Sequence, residues 1–186
     1  MRWLPRLALL LLLSCGLASQ ALADPLLIED FKVQPDTRWR FFSDTVMGGV
    51  SSGKVSFRDD GGVAFARMTG TVSTANNGGF IQIRLDLPTP PPEGTTGVRL
   101  IARGNDQRYF VHLRTNGTVL PWQYYQAGFD VTGDWVEVRL PFTDFAASGA
   151  LFLQAIPRAG ALTSIGIVAY GRDHEAAIDV AEVGFY

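Results

Sequence analysis

One serine lies in the pattern that many hydrolases use for a nucleophile. Residues 49–53 read Gly-Val-Ser-Ser-Gly, which fits G-x-S-x-G with Ser51 at its centre. That chemistry needs a strand before the serine, a helix after it and a histidine base within reach. Polar and apolar residues alternate over residues 54–58, which predicts a strand instead of a helix, and neither His112 nor His174 fits a triad pattern. We therefore expect no catalytic residue and a protein that is not an enzyme.

Ligands for metals and phosphates are sparse in the chain. It has two histidines and one cysteine, too few for a zinc-type cluster. Gly48 and Gly49 lead into a predicted strand, whereas a phosphate-binding glycine loop leads into a helix. We expect no cofactor. Whether Glu29, Asp30 and Asp179, near the two chain ends, hold a structural calcium ion is left open by the sequence.

Any site in this chain must be positioned by β-strands, because the dominant period of the sequence is two. Ile81, Ile83 and Leu85 alternate with polar or aromatic residues, the pattern of a half-buried strand. The same pattern predicts strands at residues 28–32, 54–58, 63–72, 80–87, 97–103, 109–114, 120–126, 135–140, 164–170 and 177–185. A helical turn suits only residues 144–154.

Turn residues separate these segments. Asp-Asp-Gly-Gly at residues 59–62 and the pair Asn116 and Gly117 are hairpin signals, and the second pair suits a type I′ turn. The proline-rich residues 88–92 end a strand and form a stiff connection. About ten short strands with turns at this spacing predict an all-β fold, a β-sandwich in a single domain.

Two groups of residues are candidates for binding rather than catalysis. The first is a glycine-rich loop whose paired glycines permit positive φ and close backbone approach; its candidate residues are Ser43, Asp44, Met47, Gly48, Gly49 and Ser51. The second is a sheet face that would form if three of the predicted strands share a sheet; its candidate residues are Gln82, Arg84, His112, Arg114, Trp122 and Tyr124. Aromatic and planar polar groups of this kind suit sugars or an extended peptide. A solvated sheet face is the alternative.

Four motifs in order resemble the complex I intermediate-associated protein 30 family. They are Trp39, then Ser43 with Asp44, then Met-Gly-Gly-Val-Ser at residues 47–51, then Asn-Gly-Gly-Phe at residues 77–80. A turn at residues 103–109 and the Trp135 to Phe145 stretch extend the resemblance over residues 29–186. The resemblance implies a galactose-binding-domain-like jelly roll. It also implies a protein-binding role, since characterised members of the family look like chaperones for assembling respiratory complex I.

Two functions follow as hypotheses. The first is a non-enzymatic, chaperone-like assembly factor that binds a protein partner such as a membrane-complex subunit. The alternative is a carbohydrate-binding module, which rests on fold-level analogy and on the aromatic and polar face. Nucleic acid is not an expected partner, because the formal net charge is −2 and no basic cluster stands out.

The N-terminus reads as a signal peptide over residues 1–23. Arg2 and Arg6 precede a leucine-rich run, and Ala-Leu-Ala at residues 21–23 is a cleavage signal before Asp24. We expect an exported, periplasmic or extracellular domain over residues 24–186 that does not span the membrane. A lipoprotein tether through Cys15 is the less favoured alternative. Cleavage after Ala23 removes the only cysteine, so the fold would use no disulfide.

Overall fold

Two antiparallel β-sheets pack face to face in the computed structural model of the protein, which describes residues 26–149 and 155–186. This arrangement is the jelly-roll β-sandwich that the strand pattern and the family resemblance predict. Within the described residues, no helix is long and apolar enough to cross a membrane. The expected signal peptide lies outside the described residues.

The described residues form twelve strands. In chain order they are β1 (Leu26–Glu29), β2 (Trp39–Ser43), β3 (Ser52–Asp60), β4 (Val63–Val72), β5 (Phe80–Asp86), β6 (Gly97–Gly104), β7 (Arg108–Thr115), β8 (Tyr124–Asp130), β9 (Val136–Pro141), β10 (Ala146–Ser148), β11 (Leu162–Tyr170) and β12 (His174–Phe185). Sheet A has the order β3-β4-β12-β6-β9, with β1 also paired to β12. Sheet B has the order β10-β8-β7-β11-β5-β2.

The core lies between the sheets and follows from the two-residue period. Ile81, Ile83 and Leu85 of β5 point inward and are buried, while the residues between them point to the outer face of sheet B. The facing side of the core comes from sheet A, where Met68 and Leu100 are fully buried. Because successive side chains of a strand alternate between the two faces, the inward set fixes which residues line the outer face.

Two strands are absent from the sequence-based prediction. Strand β2 was missed because Trp-Arg-Phe-Phe-Ser does not alternate cleanly; Phe42 faces outward beside Arg84. The helical turn expected at residues 144–154 is wrong for its first part, because Ala146–Ser148 forms β10. These three residues pair with β8, which supplies the backbone partners that no local pattern indicates. Residues 150–154 lie outside the described residues.

The two predicted turns have different outcomes. At residues 60–63, Gly61 and Gly62 have φ of 63° and 90° and join β3 to β4 as a two-residue hairpin. Asn116 and Gly117 do not adopt positive φ, so the type I′ turn predicted there is wrong. Thr118 N donates to Thr115 O instead, and a longer loop over residues 116–123 delays β8 until Tyr124.

Candidate functional site

A buried carboxylate organises the glycine-rich loop. Asp44 follows β2 directly and has no exposed surface. Its carboxylate accepts hydrogen bonds from Ser51 N at 2.9 Å, Ser51 Oγ at 2.5 Å and Gly79 N at 2.5 Å, with a longer one from Phe80 N at 3.3 Å. Burial acts to raise the pKa of Asp44, but the hydrogen bonds from Ser51, Gly79 and Phe80 outweigh it and hold the pKa below its usual value. Asp44 therefore joins the two glycine motifs as an ionised acceptor.

Two of the glycines around Asp44 are required because a side chain there would overlap the Asp44 carboxylate. A Cβ at Gly49 would lie 2.3 Å from Asp44 Cγ, and a Cβ at Gly78 would lie 2.3 Å from Asp44 Oδ2. Gly48 and Gly79 are required by conformation instead, with φ of 89° and 127°. The Met-Gly-Gly and Asn-Gly-Gly motifs thus close around one carboxylate.

Ser51 belongs to the same cluster and lacks the surroundings of a nucleophile. It is 1% exposed, its Oγ donates to Asp44, and it accepts a hydrogen bond from Ser73 N at 3.0 Å. Strand β3 follows it, where a nucleophile elbow needs a helix. The two histidines bond elsewhere, His112 to Gln126 and His174 to the Arg172 carbonyl.

The tip of the loop is the part that solvent reaches. Ser43, Asp44 and Ser51 are buried and hold the loop in shape, so of the predicted loop residues only Met47 presents a large side chain, 59% exposed. Val46 and Val50 flank it and are also exposed. We refer to Val46, Met47 and Val50 as the loop tip.

The structure brings the predicted face residues together on sheet B. Strands β5, β11, β7 and β8 are neighbours in the sheet. Gly166 of β11 is the register partner of both Arg84 and His112, and His112 is paired with Gln126 of β8. Gln82 lies two residues from Arg84 on the same side, with its Oε1 over Gly166. We call this surface the sheet B face.

A stacked aromatic pair occupies one side of the sheet B face. The rings of His112 and Tyr124 are parallel, with centroids 4.0 Å apart, and Tyr170 meets His112 edge-on. Burial lowers the pKa of His112 to about 4, so the imidazole is neutral at pH 7. Burial, and then the hydrogen bond with Tyr170, raises the pKa of Tyr124 to about 12. This part of the face is an uncharged flat platform.

Trp122 lies in the loop beside the face, and Arg114, near the end of β7, is bonded to that loop. Trp122 was predicted to lie on a strand with Tyr124, but it lies in the loop over residues 116–123 and is 56% exposed. Arg114 points into the same loop and donates to the carbonyl oxygens of Thr118, Leu120 and Pro121. Arg114 is therefore committed to loop structure rather than free to bind a ligand.

Arg84 differs from Arg114 because the protein leaves its donors free. Among the described residues, none accepts a hydrogen bond from its guanidinium, and its Nε is buried. Asp86 Oδ1 lies 3.3 Å from that Nε, close enough for an ion pair but without hydrogen-bond geometry. The Phe42 ring lies under the guanidinium at 4.7 Å and fixes its plane. Phe42, Asp86, Gly166 and Tyr170 are face residues that the sequence reasoning missed; recognising β2 and β11 as neighbours of β5 would have found them.

The outer face of sheet A has the opposite character. Its central cluster is Asp179, which both Arg67 and Arg103 bind, at 2.5 Å and 2.9 Å. Arg103 also lies over the Trp135 ring at 4.5 Å. Arg99 bonds Glu137 and Glu182 on the same side. The charged groups at the centre of this face bond one another, whereas no described residue accepts a hydrogen bond from Arg84 on the sheet B face, where Asp86 is its ion-pair neighbour.

The acidic residues near the chain ends do not form a metal site. Glu29 binds Arg38 and accepts a hydrogen bond from the Trp39 indole, while Asp179 is held by its two arginines. No group of three or more potential metal ligands occurs in the described part of the chain. The sequence left a calcium ion open here, and these carboxylates are occupied by cations of the protein itself.

Fold and site together define a jelly-roll β-sandwich that carries a polar and aromatic face on one sheet. The chain belongs to the Complex I intermediate-associated protein 30 family, whose profile matches residues 30–178. The family resemblance read from the motifs is thereby confirmed. No curated protein sequence matches the chain significantly.

Several solved structures with the same fold are carbohydrate-binding modules. The family 11 module of the cellulosomal cellulase Lic26A-Cel5E of Clostridium thermocellum aligns with a TM-score of 0.71 and 12% identity, over 89% of this chain and 95% of that chain. A family 11 module from the same organism, in complex with a β-1,3-1,4-mixed-linked tetrasaccharide, gives 0.69 and 12%, over 87% and 94%. A family 30 module gives 0.53 and 11%, over 74% and 91%. At these identities the likeness shows the fold alone.

Proposed function

We propose that this protein is a non-catalytic binding protein that uses the sheet B face to hold a partner protein, in an assembly-factor-like role. The observation that carries the proposal is the contrast between the two outer faces. At the centre of sheet A, Asp179 is bonded by two arginines, whereas on the sheet B face no described residue accepts a hydrogen bond from Arg84, which lies on the same face as a neutral aromatic platform. Polar groups that lack a partner in the protein are available to one outside it.

Apolar residues at both ends of the face support a protein as the partner. The loop tip lies at the end where β2 finishes and β5 begins, and the loop with Val119, Leu120 and Trp122 lies at the opposite end of β5 and β7. Strand β5 has seven residues, so the two ends are about 20 Å apart at roughly 3.3 Å per residue. A polar surface of that length with apolar residues at each end suits an extended protein segment better than a small ligand.

The family supports the same choice, because its name describes association with an intermediate of complex I. For this chain, we propose export as in the sequence-based expectation, so that the partner is a protein exposed outside the cytoplasm. What we carry over from the family to this chain is therefore binding to a partner protein, and not a particular client.

Trp122 provides the sharpest test of the proposed protein-binding surface. A protein captured from a membrane extract is identified, purified and titrated against wild type and Trp122→Ala. Buried tryptophans at interfaces commonly contribute 2 kcal/mol or more, so we expect the dissociation constant to rise at least tenfold. Arg58→Gln, at the exposed edge of sheet A, is the control and should bind like wild type. Equal affinity of Trp122→Ala and wild type for the captured protein would contradict the proposal.

Carbohydrate is the second candidate, and the stacked pair of His112 and Tyr124 favours it. A flat neutral ring pair beside amide groups such as Gln126 can accept the apolar side of a sugar ring and its hydroxyls. A solved family 11 module of the same fold is in complex with a β-1,3-1,4-mixed-linked tetrasaccharide. Affinity electrophoresis in gels containing soluble β-glucans tests this. Retardation of wild type that Tyr124→Ala abolishes would favour carbohydrate over protein.

A further inference from the structure

We propose that Arg84 forms a binding site for a carboxylate, and that the carboxylate belongs to an aspartate or glutamate side chain of the partner segment. The proposal rests on the proposed function, since it specifies what the sheet B face recognises. It adds a chemical selectivity: the face prefers an acidic partner although the whole chain has a net charge of −2.

The guanidinium of Arg84 makes no hydrogen bond within the described residues, and its ion-pair neighbour Asp86 is shared with Arg40. The guanidinium carries five N–H donors in one plane, which match the two oxygens of a carboxylate. No described residue accepts a hydrogen bond from them, and the guanidinium lies over the Phe42 ring, with its central carbon 4.7 Å from the ring centroid. Several arginines elsewhere in the sandwich use their donors within the protein, as Arg67 does with Asp179. Arg84 is therefore oriented in advance for an acceptor from outside.

Local charge points in the same direction. Arg84 and Arg114 line a groove at this end of the face, and Asp86 is the only carboxylate among the residues that line it. Arg40 binds the second oxygen of Asp86, so this acid is shared between two cations. Burial lowers the pKa of Arg114, and the nearby positive charge of Arg84 lowers it further. One added carboxylate would reduce this excess of positive charge.

A groove leads to the guanidinium and has the size and lining for an amino-acid side chain. Its volume is about 400 Å³, and Arg84, Arg114, Val119, Pro121 and Ser164 line it. Its outer wall is held rigidly, since Arg114 binds three loop carbonyls and Gln123 accepts from the N–H groups of Val119 and Leu120. A preformed wall lowers the entropic cost of binding.

The lining also distinguishes a protein carboxylate from the carboxylate of an acidic sugar. Val119 is 79% exposed and forms an aliphatic wall together with Pro121. A pyranose ring binds best on a flat aromatic surface, and the ring nearest the fork, Phe42, is covered by the guanidinium itself. The methylene groups of an acidic side chain fit an aliphatic wall, so we assign the carboxylate to a protein segment.

The experiment uses small probes and the side-chain Nε–Hε NMR signal of Arg84. N-acetylglutamate amide is titrated against the full protein, with N-acetylglutamine amide as its neutral counterpart, and glucuronate and glucose form the second pair. We expect the acidic amino-acid probe to shift the Arg84 signal saturably and to bind at least tenfold more tightly than the glutamine probe. Arg84→Lys, which keeps the charge but removes the fork, should weaken the probe at least fivefold, and Arg58→Gln should leave it unchanged.

The other outcomes overturn either this inference or the proposed function, and they tell the two apart. Arg84 is not a carboxylate site if the acidic and neutral probes bind alike. The same conclusion follows if neither probe shifts the signal at 50 mM, which is about tenfold above the dissociation constant of a weak, millimolar single contact. If glucuronate binds and N-acetylglutamate amide does not, the assignment to a protein carboxylate is wrong. Loss of probe binding with Trp122-dependent capture intact defeats this inference and leaves the proposed function standing. If the probe binds but capture of a protein does not depend on Trp122, the carboxylate site stands and the proposed function is contradicted.

Discussion

Replacing the Asp44 carboxylate by an amide should destabilise the fold by about 3 kcal/mol. One carboxylate oxygen accepts from Ser51 Oγ, Gly79 N and Phe80 N, and the other accepts from Ser51 N. Asparagine offers one acceptor and one donor in the same shape, so at least one buried N–H group must face another donor in either orientation. A hydrogen bond to a charged group contributes roughly 1.5–3 kcal/mol, and the remaining bonds lose their charge assistance. Such a loss is a large part of the 5–15 kcal/mol that is typical of whole domains.

Urea denaturation followed by tryptophan fluorescence measures this change for Asp44→Asn. Asp36→Asn is the matched control: Asp36 is exposed, so its substitution should change the free energy of unfolding by less than about 0.5 kcal/mol. The hydrogen bonds keep the folded pKa of Asp44 below 3.8, the ordinary value for an aspartate. Its contribution is therefore present above that pH and is lost as the pH falls through the folded pKa. A loss of less than 1 kcal/mol in Asp44→Asn at pH 7 would show that Asp44 does not hold the two motifs together.

Three further outcomes are expected. Gly49→Ala should cost more than about 2 kcal/mol because its Cβ would overlap Asp44, whereas Gly48→Ala, which has free space but φ of 89°, should cost about 1–2 kcal/mol; equal costs in denaturation would contradict this. The pKa of His112 is about 4 in the folded protein and about 6.5 for an ordinary histidine, so its contribution to stability is complete above pH 6.5. That contribution falls as the pH drops towards 4, by at most about 3 kcal/mol, and His112→Phe should flatten the pH profile of unfolding. Intact mass spectrometry of the exported protein should give a chain that begins at Asp24; a lipid-bearing mass that begins at Cys15 would contradict signal cleavage after Ala23.

The strands with strong alternation could be predicted from sequence, and those held only by their neighbours could not. In β5 and β7 every second residue is buried, so the sequence pattern and the burial pattern coincide. Strand β10 has three residues of Ala-Ala-Ser and exists because it pairs with the edge of β8. The formation of β10 therefore depends on a tertiary contact, and no local window of the sequence predicts it.

The start of β8 shows how long-range contacts shift a boundary. The sequence-based strand over residues 120–126 begins four residues before the observed Tyr124. The difference arises because Arg114, at the end of β7, binds the carbonyls of residues 118, 120 and 121, and Gln123 binds two N–H groups of the same loop. These side chains satisfy backbone groups that a strand would otherwise pair, so Trp122 becomes a loop residue.

For a related reason, the sequence predicts which residues lie on the candidate face but not what each of them does there. The choice of Gln82, Arg84 and His112 followed from alternation, and the sheet order places them on one surface. Arg84 and Arg114 are the same residue type, so the sequence cannot separate their roles. The roles differ because the N–H donors of Arg114 already have acceptors in the fold. Only the coordinates of the carbonyl groups separate an arginine that holds a loop from one that is free to bind a ligand.

The positions of the family motifs limit what family membership implies about the ligand. Asp44, Ser51 and the glycines of both motifs meet in one buried cluster, where they bond one another. The motifs therefore specify how two loops close around a carboxylate, which is a property of the scaffold. The face residues Arg84 and His112 lie outside those motifs, on strands whose fold requires only the inward set of apolar residues. A chain can thus belong to the family through its loop cluster while its sheet B face is suited to a different client, which is why the ligand of this chain must be sought with variants of the face.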